Sequence, residues 1–467
     1  MNEIIQVLQE PLPRVSIDAL STSDKPRVLV MGGGGIAPGV VTATVTIVQR
    51  LLERWFHPVG LLGSWEGVQR EWEMGVCDFT QIESSVLQKL TTEWGTCLGP
   101  GRGMLTRDQF SLMHWLRQKI GFLGTAVVGG DGTLSGSQAL QYSLDKSGQP
   151  ISNTVACIKT IDGDAEGSLA IGFQSSAFVY AQSVQAMMRE IPWEDGIGIV
   201  GVYGRDNGHL TLRAAALAAP DGAPIVTLVP EFPVTREHFL NRVRELKQQH
   251  KHVCIVASEG FSFSGEWQII DSKKTDGAGN PKLLGCIEIL EQIIRADEWI
   301  KALGKYSLRT SEPWIMTRSC NPIEADIRLA KNAGTAVVDI IEREWWGHAV
   351  AMQGTFAEWF RPVVTPLWKV STGNPVTDDL YDTGTLSPRP YFREYVAEQS
   401  PRFHEGDYSV LPAQKEAHRK LLKLIADGPC VEHNGVFVPS WAMQEELDGR
   451  EKPTKWTAPI LRLLSTK

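Results

Sequence analysis

The chain has no CxxC pair and no cysteine cluster. Its seven cysteines (Cys77, Cys97, Cys157, Cys254, Cys286, Cys320 and Cys430) stand singly along 467 residues, and their number is odd. That pattern excludes a disulfide framework and a zinc ribbon and fits a reducing cytoplasm. No basic run stands out. With 54 acidic against 46 basic side chains the net charge is −8, which argues against a nucleic-acid surface. No apolar run approaches the roughly 18 residues of a membrane helix. The opening Met-Asn-Glu-Ile-Ile-Gln lacks the basic-then-apolar pattern of a secretory signal. Internal repeats are absent too. These absences together predict a soluble cytoplasmic protein with neither nucleic acid nor membrane as a partner.

What is present is ordinary globular composition, 42% hydrophobic and 21% charged, in a chain long enough for two or three domains. Residues 1–26 read as a polar, proline-containing arm. Short β-rich runs follow at 27–31, 125–128, 154–158, 197–202, 224–229 and 253–257, with helical patterns between them. Strands alternating with helices predict βαβ units and parallel sheets. Most of these strands run into loops rich in Gly, Asp or other polar residues, which places the polar loops at the carboxyl ends, where open α/β sheets hold ligands. Residues 354–467 differ: they are rich in proline, tryptophan and charge, with a helix candidate over 413–426 and no catalytic motif. They read as a packing or oligomer-contact extension.

Three loops carry chemistry. The first strand runs into Gly32-Gly33-Gly34-Gly35-Ile36-Ala37, which fits the permissive GxGxxA dinucleotide pattern, and Glu53 follows at the spacing of a ribose-binding acid. Alone, this is equally a tight strand-to-helix turn, and Pro38-Gly39 sits awkwardly at the start of a fingerprint helix. The second loop, Gly129-Gly130-Asp131-Gly132-Thr133, again follows an apolar strand and adds a carboxylate to a glycine turn, where backbone N–H groups approach phosphate and the acid can hold a metal. The third, Lys159-Thr160-Ile161-Asp162-Gly163-Asp164, sets two acids two residues apart behind a cation and a hydroxyl. An Asx-type turn explains the acids alone; it does not explain Lys, Thr and two acids together. Phosphoryl transfer needs a cradle, a metal acid, a cation and a base for the attacking hydroxyl. The set reads as a kinase site.

In this order the three loops resemble the phosphofructokinase family. Further segments agree: Gly60 to Gly67 is similar to the glycine-spaced segment after the family's first helix, and 95–102 to its GGTxLGSSR element. Tyr203-Gly204-Arg205 stands where the family has MGR, Pro230-Glu231 where it has PE, and Ser258-Glu259-Gly260 where it has TEG. Arg309 and Arg318 keep the family's nine-residue spacing, and Asp326 follows as in its RGGxPxxxD run. NAD and diacylglycerol kinases share a GGDGT loop but lack the KTIDGD element.

The resemblance, covering about 27–353, implies two Rossmann-like α/β parallel-sheet domains of the phosphofructokinase type plus a C-terminal extension. The donor domain would be 27–172 with 317–353, and the sugar-phosphate domain 173–316. It implies a glycolytic type of kinase with Mg²⁺ as cofactor, assembled as a homodimer or homotetramer. Asp162 would be the general base; Thr160 and Lys159 would neutralise the moving phosphoryl group; Asp131 and Asp164 would bind Mg²⁺. Gly34, Gly35, Arg102, Gly130, Gly132 and Thr133 would hold the donor. Tyr203, Gly204, Arg205, Glu231 and Arg318 would grip the sugar phosphate, with Arg309 arriving from a neighbouring subunit. Guanidinium forks suit bidentate phosphate binding.

The departures fall mostly on the sugar side. Ile36 replaces an acid after the first GG, Gly196 an arginine, Ile315 a His or Tyr, and Met316 a polar residue. For the donor, pyrophosphate users carry Asp where this chain has Gly132, whose open space favours ATP. Lys159 is typical of pyrophosphate users but also occurs beside glycine in one ATP-using branch; Gly163 and His209 lean toward pyrophosphate. Three readings follow: an ATP-dependent kinase acting on fructose 6-phosphate or a related sugar phosphate, a pyrophosphate-dependent phosphotransferase, and a catalytically weak regulatory subunit. The first is the leading one.

Overall fold

A computed structural model describes residues 12–64, 75–91, 95–99, 101, 107–163, 165, 169–266, 270–275, 281–283, 285–353, 360–370, 375–397, 430–433 and 436–439. The helix candidate at 413–426 lies outside them. The first strand, β1 (Arg27–Gly32), is Val- and Leu-rich and buried along nearly its whole length, as a central parallel strand covered on both faces must be. Helix α1 (Val40–Glu53) follows, then β2 (His57–Leu61) and β3 (Val76–Asp78). Next come β4 (Phe122–Gly129), α2 (Asp131–Tyr142) and β5 (Thr154–Thr160). The chain then crosses through helix α3 (Phe173–Glu190) to a second sheet.

That second unit contains β6 (Ile197–Val202), α4 (His209–Ala218), β7 (Ile225–Leu228), α5 (Arg236–His250), β8 (Val253–Ser258), α6 (Cys286–Ala296) and β9 (Leu308–Ser311). Through α7 (Trp314–Arg318) and the long α8 (Glu324–Glu342) the chain returns and adds β10 (His348–Gln353) and β11 (Arg361–Pro366) to the first sheet. Among the described residues the first sheet runs β11-β10-β5-β4-β1-β2-β3, parallel in its middle with an antiparallel strand at each end. The second, β9-β6-β8-β7, is parallel throughout. These are the parallel sheets expected from the alternation, arranged as the two Rossmann-like units that the resemblance implies. The segment after 353 is divided between them, since β11 closes the first sheet and buried side chains of 376–396 join the apolar core of the second.

Close helix packing aligns the return. A Cβ at Gly334 of α8 would lie 3.0 Å from the Ala43 carbonyl and from Thr46 Cβ of α1, so only glycine lets the two helices cross this tightly. The threonines buried in that contact satisfy their own hydroxyls: Thr44 donates to the Val40 carbonyl at 2.9 Å and Thr46 to the Thr42 carbonyl at 2.7 Å.

The arm is pinned by a buried polar cluster. Asp78 accepts from Ser21 N–H (3.2 Å), the Thr80 hydroxyl (2.6 Å) and His57 Nε2 (2.9 Å). Burial alone would raise its pKa, but the Ser21 and Thr80 hydroxyls, the Ser21 N–H and His57 outweigh it and hold the carboxyl at about 2. A depressed carboxyl stabilises the fold above its unfolded pKa near 4 and loses that contribution as pH falls towards 2. Asp78→Asn is therefore expected to cost on the order of 2 kcal/mol at neutral pH. The gap from wild type should close as pH falls from about 4 towards 2, measured as unfolding midpoints against pH.

Candidate active site

Strands β1, β4 and β5 are neighbours, so their carboxyl ends deliver the three chemical loops side by side. Gly33 N–H donates to the Val128 carbonyl at 2.9 Å and Gly34 N–H to the Gly101 carbonyl at 2.7 Å. Thr133 occupies the room left by two glycines: a Cβ at Gly33 or at Gly129 would stand 2.4 Å from its side chain. Gly34 needs its glycine for conformation, with φ at +78°. Lys159 is buried and its Nζ donates to the Gly35 carbonyl at 2.7 Å, tying the third loop to the first. Gly132 differs from the others. It is exposed, and among the described residues a Cβ there would meet nothing within 4 Å, leaving open space at the amino end of α2.

Beyond Lys159, Thr160 Oγ accepts from Asp162 N–H at 3.1 Å and fixes the turn that presents the half-buried Asp162. Gly163 follows in the left-handed region at φ +73°, where a Cβ would stand 2.8 Å from the Phe173 ring and 3.2 Å from His209 Cβ. Gly163 and His209, each leaning toward pyrophosphate in the sequence, are thus parts of one packing arrangement. Below them, Lys159 and Thr160 pair with Ile171 and Gly172. Gly172 N–H donates to Asp326 at 2.9 Å and Ser175 N–H at 2.7 Å, so the Asp326 carboxylate caps α3 from the first turn of α8. Burial raises the Asp326 carboxyl to about 6, against these donors and Arg213. This acid links the helix leading into the second unit to the strand supporting Thr160.

On the second unit, Tyr203-Gly204-Arg205, Glu231 and Ser258-Glu259-Gly260 lie at the carboxyl ends of β6, β7 and β8. A Cβ at Gly260 would overlap the Arg205 carbonyl at 1.7 Å, and Gly260 N–H donates to the Gly204 carbonyl at 3.1 Å. Tyr203 packs against Trp314 with ring centroids 4.9 Å apart, and the Arg318 guanidinium stands 5.9 Å from the Tyr203 ring, which brings Arg318 to this cluster. Glu231 Oε1 accepts from Gly208 N–H at 3.0 Å and from Val376 N–H at 2.8 Å. Burial pushes its carboxyl upward against these bonds.

Other expected site residues are not in this gathering. Arg309 pairs in register with Gly198, five residues before Tyr203, so about 16 Å of strand separates the two positions. Its guanidinium is exposed and holds Glu194 at 2.9 Å. Gly196 is tightly enclosed: a Cβ would lie 2.5 Å from Ser307 Oγ and 3.0 Å from the Ile191 carbonyl, so a side chain there requires these neighbours to shift. Ile315 and Met316 are exposed at 70% and 66%, with no polar group in their place. Glu53 ends α1, about 20 Å along the helix from the glycine loop, and pairs with Arg50 at 2.7 Å, which removes it as a ribose-binding acid. Arg102 and Asp164 lie outside the described residues, as do the last residues of the Gly60–Gly67 segment, and Asp131 is described in its backbone only. Two partners were missed from sequence: Glu194, whose only signal is an acid in a turn before a strand, and Val376, which acts through a backbone N–H and leaves no signal.

Known proteins share this sequence pattern and this fold. The ATP-dependent 6-phosphofructokinase of Entamoeba histolytica is 26% identical over 320 residues, covering 67% of this chain and 70% of that protein. The pyrophosphate–fructose 6-phosphate 1-phosphotransferase of Thermoproteus tenax is 26% identical over 330 residues, covering 70% of this chain and 88% of that one. Among solved structures, a pyrophosphate-dependent phosphofructokinase from Marinobacter aquaeolei superposes with a TM-score of 0.66 at 18% identity, over 82% of this chain and 94% of that one. Residues 27–341 match the phosphofructokinase family model, and that stretch contains every glycine and acid loop described above. More than half of the sequence and both sheets thus carry one signature, and the chain belongs to the phosphofructokinase family.

Proposed function

We propose that this protein transfers the terminal phosphoryl group of ATP to a hydroxyl of a sugar phosphate, fructose 6-phosphate or a close relative. The observation that carries the reading is the meeting of the three loops, with Lys159 tied to Gly35 and open space in front of Gly132. Gly34, Gly35, Gly130 and Thr133 line the donor cradle, and Arg102 adds a cation to it. Thr160 and Lys159 neutralise charge on the moving group, and Asp162 takes the proton of the attacking hydroxyl. Tyr203, Gly204, Arg205, Glu231 and Arg318 hold the acceptor. Arg309, exposed on an edge strand and far from Arg205 in its own chain, serves the site of a second copy in a homodimer or homotetramer.

Mg²⁺ is the cofactor of this reading, as the resemblance implies. Among the described residues no three His, Cys, Asp or Glu gather as a metal cluster. Mg²⁺ is commonly held by one or two carboxylates together with substrate phosphates, a role for Asp131 and Asp164. When bound, it supplies charge neutralisation on the phosphate oxygens.

Pyrophosphate is the second reading, favoured by Lys159 and by the Gly163–His209 packing. The test is phosphoryl transfer from ATP and from pyrophosphate to a panel of sugar phosphates. ATP is expected to support turnover better; a preference for pyrophosphate of about tenfold, or about 1.4 kcal/mol, would overturn the donor assignment.

A further inference from the structure

The segment 375–397 lies beyond the stretch that matches the family, yet it is built into the second unit. Val376, Tyr381, Leu386 and Phe392 are buried in the core formed by β6, β7 and β8. The edge strand β7 is engaged in both directions: Tyr381 Oη donates to the Thr227 carbonyl at 2.7 Å, and Thr227 N–H donates to the Leu386 carbonyl at 2.7 Å. A short hairpin, Tyr381–Asp382 against Ser387–Pro388, shapes this strap. At its start, Val376 N–H donates to Glu231 Oε1. The other oxygen, Oε2, is buried and finds no donor among the described residues.

A buried carboxylate oxygen left without a donor is costly. The two backbone donors on Oε1 fix the carboxylate and leave Oε2 for a hydroxyl from outside the chain. We infer that the strap sets acceptor choice: Val376 positions Glu231 so that Oε2 receives a sugar hydroxyl, and residues 375–388 wall that side of the acceptor pocket. This rests on the sugar-phosphate kinase reading, and it gives the extension a task beyond packing.

The test uses the full-length protein. Val376→Pro removes the N–H, whereas Val376→Ala keeps it and loses apolar burial. With Val376→Pro the KM for fructose 6-phosphate is expected to rise about tenfold or more, with kcat and the KM for ATP within about twofold. Val376→Ala should return the acceptor KM to near wild type despite a lower unfolding temperature. If both variants lose stability and neither changes the acceptor KM, the strap is only structural and the inference fails. Hydrogen exchange on the wild type gives a readout independent of variant folding: exchange over 375–388 should slow with fructose 6-phosphate and not with ATP alone. Unchanged exchange counts against the inference. A wild type that phosphorylates no sugar phosphate overturns the kinase reading and the inference with it. An active wild type with an indifferent Val376→Pro overturns the inference alone.

Discussion

Asp162→Asn is expected to lower kcat by roughly 10²–10⁴ and to leave ATP binding within about twofold. Asparagine keeps the size of the side chain and much of its hydrogen bonding, and the turn should survive because Thr160 Oγ holds the backbone N–H of residue 162 rather than its side chain. What is lost, with Asp162 in the proposed role of general base, is the ability to accept the proton of the attacking hydroxyl. Steady-state kinetics with calorimetric titration of ATP separate the two effects. A variant retaining half the wild-type rate would mean that another group takes the proton. A variant with weakened ATP binding would place the carboxylate on the donor side.

The second large effect is expected at Gly132. Among the described residues nothing stands within 4 Å of its missing Cβ, so aspartate meets no described neighbour there. The added carboxylate would then stand at the amino end of α2, in the space that the proposed ATP site gives the nucleotide. Gly132→Asp is expected to lower kcat/KM for ATP by at least about tenfold, equivalent to about 1.4 kcal/mol, with pyrophosphate affected less. The ratio of the two kcat/KM values is the quantity to measure. An unchanged ratio would mean that the nucleotide does not pass over this position.

Elements with strong local signals were legible in the sequence. The strand over 197–202 is Ile197–Val202, and the helix expected to finish near Arg54 ends at Glu53. β4 begins at Phe122, three residues before the expected run at 125–128, because Gly124 interrupts the apolar pattern while the parallel partner β1 carries the pairing further. Glycine-rich loops were legible because close approach demands glycine wherever two loops touch, as Gly33 and Gly129 do around Thr133. The ribose role given to Glu53 failed because the spacing that suggested it runs the length of α1, and the acid ends that helix about 20 Å from the glycine loop. The strap was read only as extension. Its hold on the second unit depends on pairing with Thr227 and on one N–H given to Glu231, about 150 residues away in sequence, and neither leaves a local pattern. Gly196 was legible as a departure from the family, but not its close surroundings, with Ser307 and Ile191 packed against it.

The most direct test of the account is phosphorus NMR of the purified protein incubated with Mg²⁺, each sugar phosphate of the panel in turn, fructose 6-phosphate first, and ATP and pyrophosphate together as donors. The account predicts that ADP and a new sugar phosphomonoester signal grow in equal amounts, and that both grow roughly 10²–10⁴ times more slowly in Asp162→Asn. ATP left intact while pyrophosphate is consumed in its place would contradict the donor. Release of inorganic phosphate with no new sugar phosphate, from any acceptor in the panel, would contradict the transfer itself.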